Sequence, residues 1–285
     1  VIKKHKGHIG DTVNKILSEE LKTTNYKKEN IENTSNEYVF YGNIKKPFTV
    51  LTWLCPKSIP IKSSSDPEKG TAGFLFYQNK DGYNFKSIDS LFSGLKLGTV
   101  NKKKIEKYVY KPNVSIDADP ETNFRILTIP TFEKNVNIME NLRIGMYSSV
   151  NYFFDVNARK FNVYNYSLKD SYNIMSHASS ANVPPTVPLG LDKNSSRLMV
   201  RILDNYNSDP ANIVGTAAIN NSKDNTYLYQ AASIARYNLA FSQKLNVTIP
   251  LNLTLTVGDI IEIDFPTISK NKSEQGTKDQ MKSGY

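Results

Sequence analysis

The sequence is short of the residues that hold folds together covalently or through metals. Among 285 residues there are one cysteine, Cys55, and three histidines. A single thiol excludes an internal disulfide, and its setting, WLCPK, reads as a small buried apolar position rather than a redox motif. No window approaches the ~18–20 unbroken apolar residues of a membrane span, and no signal-peptide pattern follows Val1. There is no Gly-rich phosphate cradle, and His177 has no GxSxG elbow in the chain. His5 and His8, in HKGH, lack a third spaced ligand, so that segment reads as a solvated N-terminal arm. Asp117 and Asp119, in SIDADPE, lack the glycine and closing glutamate of a helix-loop-helix calcium site. The acidic pair Glu19-Glu20 reads as salt-bridged helix surface. These absences point away from catalysis and call for no cofactor and no metal.

Length and charge are what the chain does have. Its 285 residues suffice for one large or two ordinary domains. A net charge of +9 permits an anionic partner, but the lysines are dispersed. The densest basic run, Asn101 to Asn113, reads as a solvated loop rather than a phosphate track. Helical spacing is present in Val13, Ile16, Leu17 and Leu21 after an N-cap at Asp11-Thr12. A second helix is expected from Pro47, stopped by Pro56, with a loop from Ser58 to Gly70. RILTIP after Phe124 reads as a strand, and Val136, Met139 and Leu142 as a helix ending before Gly145. Met146 to Phe154 and Phe161 to Tyr166 alternate as strands around DVNARK. Asn173 to Ser196 reads as an extended loop and Arg197 to Leu203 as a strand. Asn225 to Phe241 is the strongest helix signal, with Leu228, Ala231, Ala232, Ala235 and Leu239 as its buried stripe. From Lys244 the pattern turns to strand, in KLNVTIPL and LTLTVGDIIEIDFP, with Val257-Gly258-Asp259 as the turn between two pieces.

The sharpest local signal is TAGFLFYQNKDGYNFKSI, Thr71 to Ile88. Asp81-Gly82 predicts a two-residue type I′ turn. That turn places Lys80 opposite Tyr83, Gln78 opposite Phe85 and Phe76 opposite Ser87. On the other face Asn79 meets Asn84, Tyr77 meets Lys86 and Leu75 meets Ile88. Each face then has an apolar half, so a second layer of the chain or another subunit is expected to cover part of both.

Three stretches, in order, resemble the central baseplate hub protein of contractile-tailed, T-even-like bacteriophages. KKHKGHIGDTVNKILSEEL is similar to the helix that opens the segment after that family's first tube domain. FTVLTWLCPKSIP and GTAGFLFYQNKDGYNFKSIDSL resemble the helix and hairpin that follow. NLRIGMYSSVNYFFDVNARKF, with LTVGDIIEIDFP and KDQMKSGY, resembles its later strands. The resemblance implies a viral structural protein of the virion, assembled in the host cytoplasm, and no enzyme. It implies a homotrimer whose tube-like domains make a pseudo-sixfold ring, adapting the sixfold tail tube to the threefold central spike. Its partners would be the central spike protein, the tail tube or tube-initiator protein and the baseplate wedge proteins, with transient passage of phage DNA through the ring. Relative to the family the first tube domain is missing, and the chain starts without Met. The expectation is therefore that residues precede Val1 and that an alternating strand follows Tyr285, pairing beside Ile260 to Phe265.

Pattern and resemblance together predict an α+β fold, a tube-type antiparallel β-barrel domain with a mixed α/β insertion region. Residues 1–70 form a mixed helical and β region, 71–100 the first barrel hairpin, 101–196 an α+β insertion with a long loop, and 197–285 the rest of the barrel with its packed helix. The Gly73 to Ile88 hairpin is expected to share a sheet with Leu253 to Phe265. Phe76, Tyr77, Tyr83 and Phe85 are the expected subunit-interface anchors, because aromatics supply much of interface energy. Abundant Tyr and Asn with long loops suit a rival, a carbohydrate- or receptor-binding β-module of a tail tip. A cell-wall hydrolase ranks third, lacking a plausible acid pair.

Overall fold

Helical and strand periodicities resolve, in a computed structural model, into many short elements. The structure describes residues 3–42, 45–61, 70–92, 99–100, 103–110, 124–134, 136–156, 159–172, 175–177, 190–203 and 226–266. In chain order come β1 (Lys4–His8), α1 (Ile9–Lys15, continued by a π-helical stretch Ile16–Glu20), β2 (Glu37–Tyr41), α2 (Pro47–Leu54), β3 (Phe74–Asn79), β4 (Gly82–Ser87) and α3 (Ile88–Phe92). Next are β5 (Thr99–Val100), β6 (Lys103–Lys104), β7 (Glu106–Tyr110), β8 (Arg125–Ile126), β9 (Thr131–Lys134), α4 (Ile138–Ile144), β10 (Ser148–Asp155) and β11 (Lys160–Ser167). The last are α5 (Leu168–Tyr172), β12 (Arg197–Leu203), α6 (Thr226–Ala240), β13 (Lys244–Asn246) and β14 (Ile261–Asp264). The chain is a mixed α and β protein whose sheets do not close into a barrel among the described residues. No described helix is long and apolar enough to cross a membrane.

Two compact units form. The first comprises Val1–Ser90, Asn137–Ser176 and Ala181–Ala240; the second comprises Leu91–Val136, His177–Ser180 and Phe241–Tyr285. This grouping cuts across the divisions drawn from sequence at residues 70, 100 and 196.

In the first unit, Val13, Ile16 and Leu17 are buried with Ile9 in one apolar cluster, joined by Val50, Leu51 and Leu54 of α2. The first helix starts earlier than expected: its N-cap is His8, and Asp11 falls in the first turn. There the carboxylate favours the positive end of the helix dipole. Pro47 opens α2 as expected, its missing N–H being one that the helix leaves unpaired anyway. The N-terminal arm is solvated at Lys4, Lys6 and His8 but is a paired strand rather than a free one. Strand β1 pairs antiparallel with β2, and His5 is buried opposite Phe40.

The hairpin β3–β4 forms where expected, but its turn sits one residue earlier and its pairing is therefore shifted by two residues. Phe76 faces Phe85, Gln78 faces Tyr83 and Phe74 faces Ser87. The turn residues are Lys80 and Asp81, while Gly82 takes φ +104° as the first residue of β4. A type I turn followed by a positive-φ glycine replaces the type I′ turn. Asn25 explains the choice. Its carbonyl accepts from Tyr83 N–H at 2.9 Å, and a Cβ on Gly82 would stand 2.2 Å from the same oxygen. Because the slip in pairing is even, every side chain keeps the face expected for it and only its partner changes. Phe74, Phe76, Tyr83 and Phe85 share one face, and the slip brings their rings together, with stacks at 4.7 Å for Phe74–Phe85 and 5.7 Å for Phe76–Tyr83.

The expected sheet between this hairpin and Leu253 to Phe265 does not form; β3 and β4 make a two-stranded sheet of their own. One cause is local. The edge of β4 is already taken by the Asn25–Glu32 segment, through Tyr83 N–H to Asn25 O, Glu32 N–H to Phe85 O and the Ile31–Phe85 bridge. Strand β12 pairs in parallel with β10, and β14 pairs in parallel with β7.

Strands β10 and β11 and helix α4 lie where the sequence places them, α4 capped by Asn137, whose side chain accepts from Glu140 N–H, and ended by Gly145. In α6 the buried stripe is only partly as expected. Ala231 and Ala235 are buried, and Ala232 and Leu239 are half-buried against apolar clusters. Leu228's side chain lies outside the described set. Tyr229 and Arg236 are the unanticipated buried members. Helix α6 is a shared wall: Ala235 meets Met146, Leu168 and Tyr172, while Tyr229 and Ala232 meet Ile59 and Ala72.

Arg236 is the fixed point of that wall, at 1% exposed. Its Nη2 donates to Asp89 Oδ1 at 3.0 Å and to the Ser176 carbonyl. Asp89 also accepts from Ser176 N–H at 2.9 Å and, on Oδ2, from Thr71 N–H at 3.2 Å. Burial pulls the guanidinium pKa down and Asp89 pulls it back up. Gly73, at φ +135°, passes so close that a Cβ there would lie 3.2 Å from Arg236 Cγ.

In the second unit, β7 is the middle strand of a parallel β14–β7–β8 sheet. The Asn101 to Asn113 run is thus partly a strand: Tyr108 is buried, and Lys107 Nζ binds Asp264 at 2.5 Å. Beyond Lys244 the strands are shorter than expected. Asn252 Nδ2 donates to Glu106 Oε2 (2.6 Å) and Tyr108 OH (2.9 Å), while its Oδ1 accepts from Thr254 N–H (2.9 Å). Such side-chain bonds divert the backbone from a ladder. The Val257-Gly258 turn forms, with Thr256 N–H on Asp259 Oδ2 at 2.8 Å. Strand β14 is an edge of the described sheet, and residues 267–285, where a following strand was expected to begin, lie outside the described residues.

Breaking a buried ion pair by removing one partner costs about 3–5 kcal/mol. Arg236→Ala and Asp89→Ala are each expected to lose that much in urea denaturation. The double variant should lose clearly less than the sum of the singles; additive losses would mean that the pair is not coupled.

Candidate assembly surface

The three-stranded sheet β11–β10–β12 has an unusual polarity. On its α6 side β10 presents Ser149, Asn151, Phe153 and Asp155, all buried, and β11 presents Tyr164, stacked on Tyr227 of α6 at 4.8 Å. Helix α6 packs on β10 and β11 from that side. The opposite side is the apolar one. The register aligns Val163, Tyr152 and Val200 in one row and Phe161, Phe154 and Ile202 in the next, with Val150 beside Leu198. Leu198, Val200 and Ile202 are 59%, 65% and 64% exposed, and Phe161 is 66% exposed. The Phe154 and Phe161 rings lie 4.5 Å apart across the strands.

A sheet with one wet face ordinarily turns its apolar side inward. Here β12 turns Leu198, Val200 and Ile202 outward, while Met199 receives the Gln230 amide of α6 at 3.7 Å. The apolar grid spans ~13 Å along the strands and ~10 Å between the outer strands, on the order of 250 Å² with its flanks. Its area is within what ordinary monomers expose, so what sets it apart is its place, a whole apolar sheet face with no layer of the described chain over it. A stable interface needs about 800 Å² per partner, so this face would anchor a larger contact.

The four residues expected to anchor subunits lie on the hairpin, and they divide. Phe85 is 0% exposed and belongs to the first unit's own core. Phe76 and Tyr83 are half-buried against that core, and Phe48 of α2 leans on them at 6.1 and 5.7 Å. Tyr77 is half-buried on the other face, opposite Asn84. Phe48 is exposed beside Phe76 and Tyr83, so α2 and the hairpin display a second apolar stripe, while Trp53, also exposed, lies beside Tyr38 and Phe40 of β2.

Burial shifts titratable groups of the first unit. The Cys55 thiol donates to Leu51 O at 3.3 Å, and burial pushes its pKa up to about 12. Burial likewise pushes Tyr166 up to about 12, although its bond to Ser171 opposes the shift. An open groove of about 630 Å³ beside α4 is lined by Asn137, Met139, Glu140, Leu142, Arg143 and Ser196. Its hydroxyl, Ser196, donates to the Ser148 carbonyl at 3.2 Å. Among the described residues no group of three His, Cys, Asp or Glu side chains could hold a metal ion. Asp117 and Asp119 lie outside the described residues.

The sheet face escaped the sequence reading for a physical reason. RLMVRIL alternates Leu198, Val200 and Ile202 against Arg197, Met199 and Arg201, but alternation gives two faces without saying which one a helix covers. The usable signal was a misfit: Ser149, Asn151 and Asp155 on β10 share parity with the helix side. Comparison with protein-family models finds no match for this chain, and no curated protein matches it either.

Because Val200 touches solvent, Val200→Glu should change the stability of the isolated chain by no more than ~0.5 kcal/mol. It should also lower the binding of a dye that reports apolar surface. A large loss of stability would instead mean that the face is covered within the chain.

Proposed function

We propose that this chain is a structural assembly protein, the central hub of a contractile phage-tail baseplate, closing into a homotrimeric ring between the sixfold tail tube and the threefold spike. The observation that supports it best is the apolar outer face of β11–β10–β12, a surface built to be covered. The α2–hairpin stripe, on different elements, supplies a second patch. Two unlike patches per protomer suit a head-to-tail contact, the kind that closes rings. In this reading the tube-type barrel is completed between neighbouring subunits, and Phe76, Tyr77 and Tyr83 act at the contact while Phe85 supports them from the core. The spike, the tube or its initiator and the wedge proteins are the other partners, and the virion baseplate is the location. The order of the three stretches quoted from KKHKGHIGDTVNKILSEEL to NLRIGMYSSVNYFFDVNARKF supports the same reading.

A receptor- or glycan-binding module is the second reading, favoured by the exposed indole of Trp53, set 5.6 Å from Tyr38. Trp53 is the chain's single tryptophan. Its fluorescence would therefore report a sugar docking there.

Light scattering at micromolar concentration should give a mass near three times 32.2 kDa. Val200→Glu with Ile202→Glu should weaken association at least ~100-fold, since buried anchors at a contact centre are worth 2 kcal/mol or more. Tyr77→Glu with Tyr83→Glu should weaken it less. A monomer at every concentration, with a saturable glycan-dependent change in Trp53 emission, would favour the second reading.

A further inference from the structure

The β1–β2 ribbon holds a titratable group that neither apolar surface uses. His5 is 4% exposed. Its ring stacks on Phe40 of β2 at 5.0 Å with 20° between planes, and its Nε2 is buried without a hydrogen-bond partner among the described atoms. Phe40 in turn meets Trp53 of α2 edge-on at 5.2 Å and belongs to the cluster containing Ile9 and Val13 of α1. The imidazole is thus part of the packing that seats the ribbon on both helices.

The charges around it leave little to compensate an imidazolium. Lys3 precedes β1, Lys15 lies on α1, and Glu19 and Glu20 lie on the π-helical extension. Lys3 Nζ already binds Glu19 and stands 3.4 Å from Glu20. Strand β2 adds Tyr38, Tyr41 and Glu37, the last opposite His8 at the far end of the ribbon. From α2 comes Trp53, with the Lys57 ammonium 4.4 Å over its ring. Burial lowers the His5 pKa below the ordinary histidine value, Lys3 and Lys15 act in the same direction, and Glu20 and Glu19 oppose them.

We propose that His5 is an acid-sensitive latch: neutral, it completes the stacking that holds the β1–β2 ribbon on α1 and α2, and protonated, it releases the ribbon. The unfolded or released imidazole takes up a proton near pH 6.5, before the seated one does. Stability from the latch is therefore full above about pH 6.5 and is lost as pH falls through the lower, seated value. Lys3 holds the Glu19 carboxyl below its usual range, so this pair stays charged in that window. The proposal stands apart from the assembly reading.

The test uses the full chain. Histidine ring resonances, assigned with His8→Asn and His177→Asn, are followed from pH 8 to 4.5, and amide exchange is measured at pH 7.5 and 5. The His5 resonance should titrate below 6.5. Protection factors of Lys4–His8 and Glu37–Tyr41 should fall about tenfold for each unit of that depression, while those of β10 and β11 hold. In His5→Phe the pH dependence of the ribbon should vanish. A His5 resonance titrating at or above 6.5, equal ribbon protection at both pH values, or a loss that survives in His5→Phe would overturn the latch. If His5→Phe does not fold, the wild-type titration and exchange decide alone.

Discussion

One buried ion pair sets the geometry of the first unit. A guanidinium as enclosed as that of Arg236 cannot be left without an anion, because the desolvation cost runs to several kcal/mol per ion. Asp89 is the anion, and it also gathers the N–H groups of Thr71 and Ser176. The pair therefore ties α6 to the exit of the hairpin and to the segment after α5. Its net contribution to stability is modest, since attraction and desolvation nearly offset each other. Its effect on position is larger: with Arg236 held on Asp89, Ala235 lies in one apolar cluster and Tyr229 in the other.

Fixing α6 decides which side of β11–β10–β12 is covered. The side it covers is the more polar one, with Ser149, Asn151 and Asp155 buried there. The apolar grid is left on the outside, where a sheet that worked alone would carry charge. Burying Val200, Ile202 and Phe161 against a second protein would recover transfer free energy that folding leaves unused, at roughly 25 cal/mol per Å². Association of that kind would use the apolar surface that folding leaves over.

Local signals were legible in the sequence and long-range ones were not. Pro47, Asn137 and Gly145 mark helix ends through the stereochemistry of one or two residues, and α2 and α4 lie where those marks put them. The hairpin was equally plain, but KDG fits two turn types that differ by one residue in position and so by two in strand pairing. The arbiter is the Asn25 carbonyl, more than fifty residues upstream of Gly82. The parallel partnership of β10 and β12 left no trace, since an alternating strand reads the same in either direction. His5 was misplaced because a short basic arm looks solvated until Phe40 is brought beneath it. The basic run containing Tyr108 failed likewise, its stem alternating as a strand while its lysines drew the eye. Of the candidate surface, the aromatic hairpin was visible and the sheet face was not, because alternation names two faces and only the position of α6 chooses between them.

Cys55 lends the molecule a practical property. Its sulfur is enclosed between α2 and the hairpin core and holds its proton far above neutral pH, so it should react slowly with maleimides and iodoacetamides while the fold is intact. Because it is the only cysteine, the native chain is close to silent toward thiol reagents. A spin label or fluorophore attached through one engineered surface thiol would report that position alone, with the natural residue left in place.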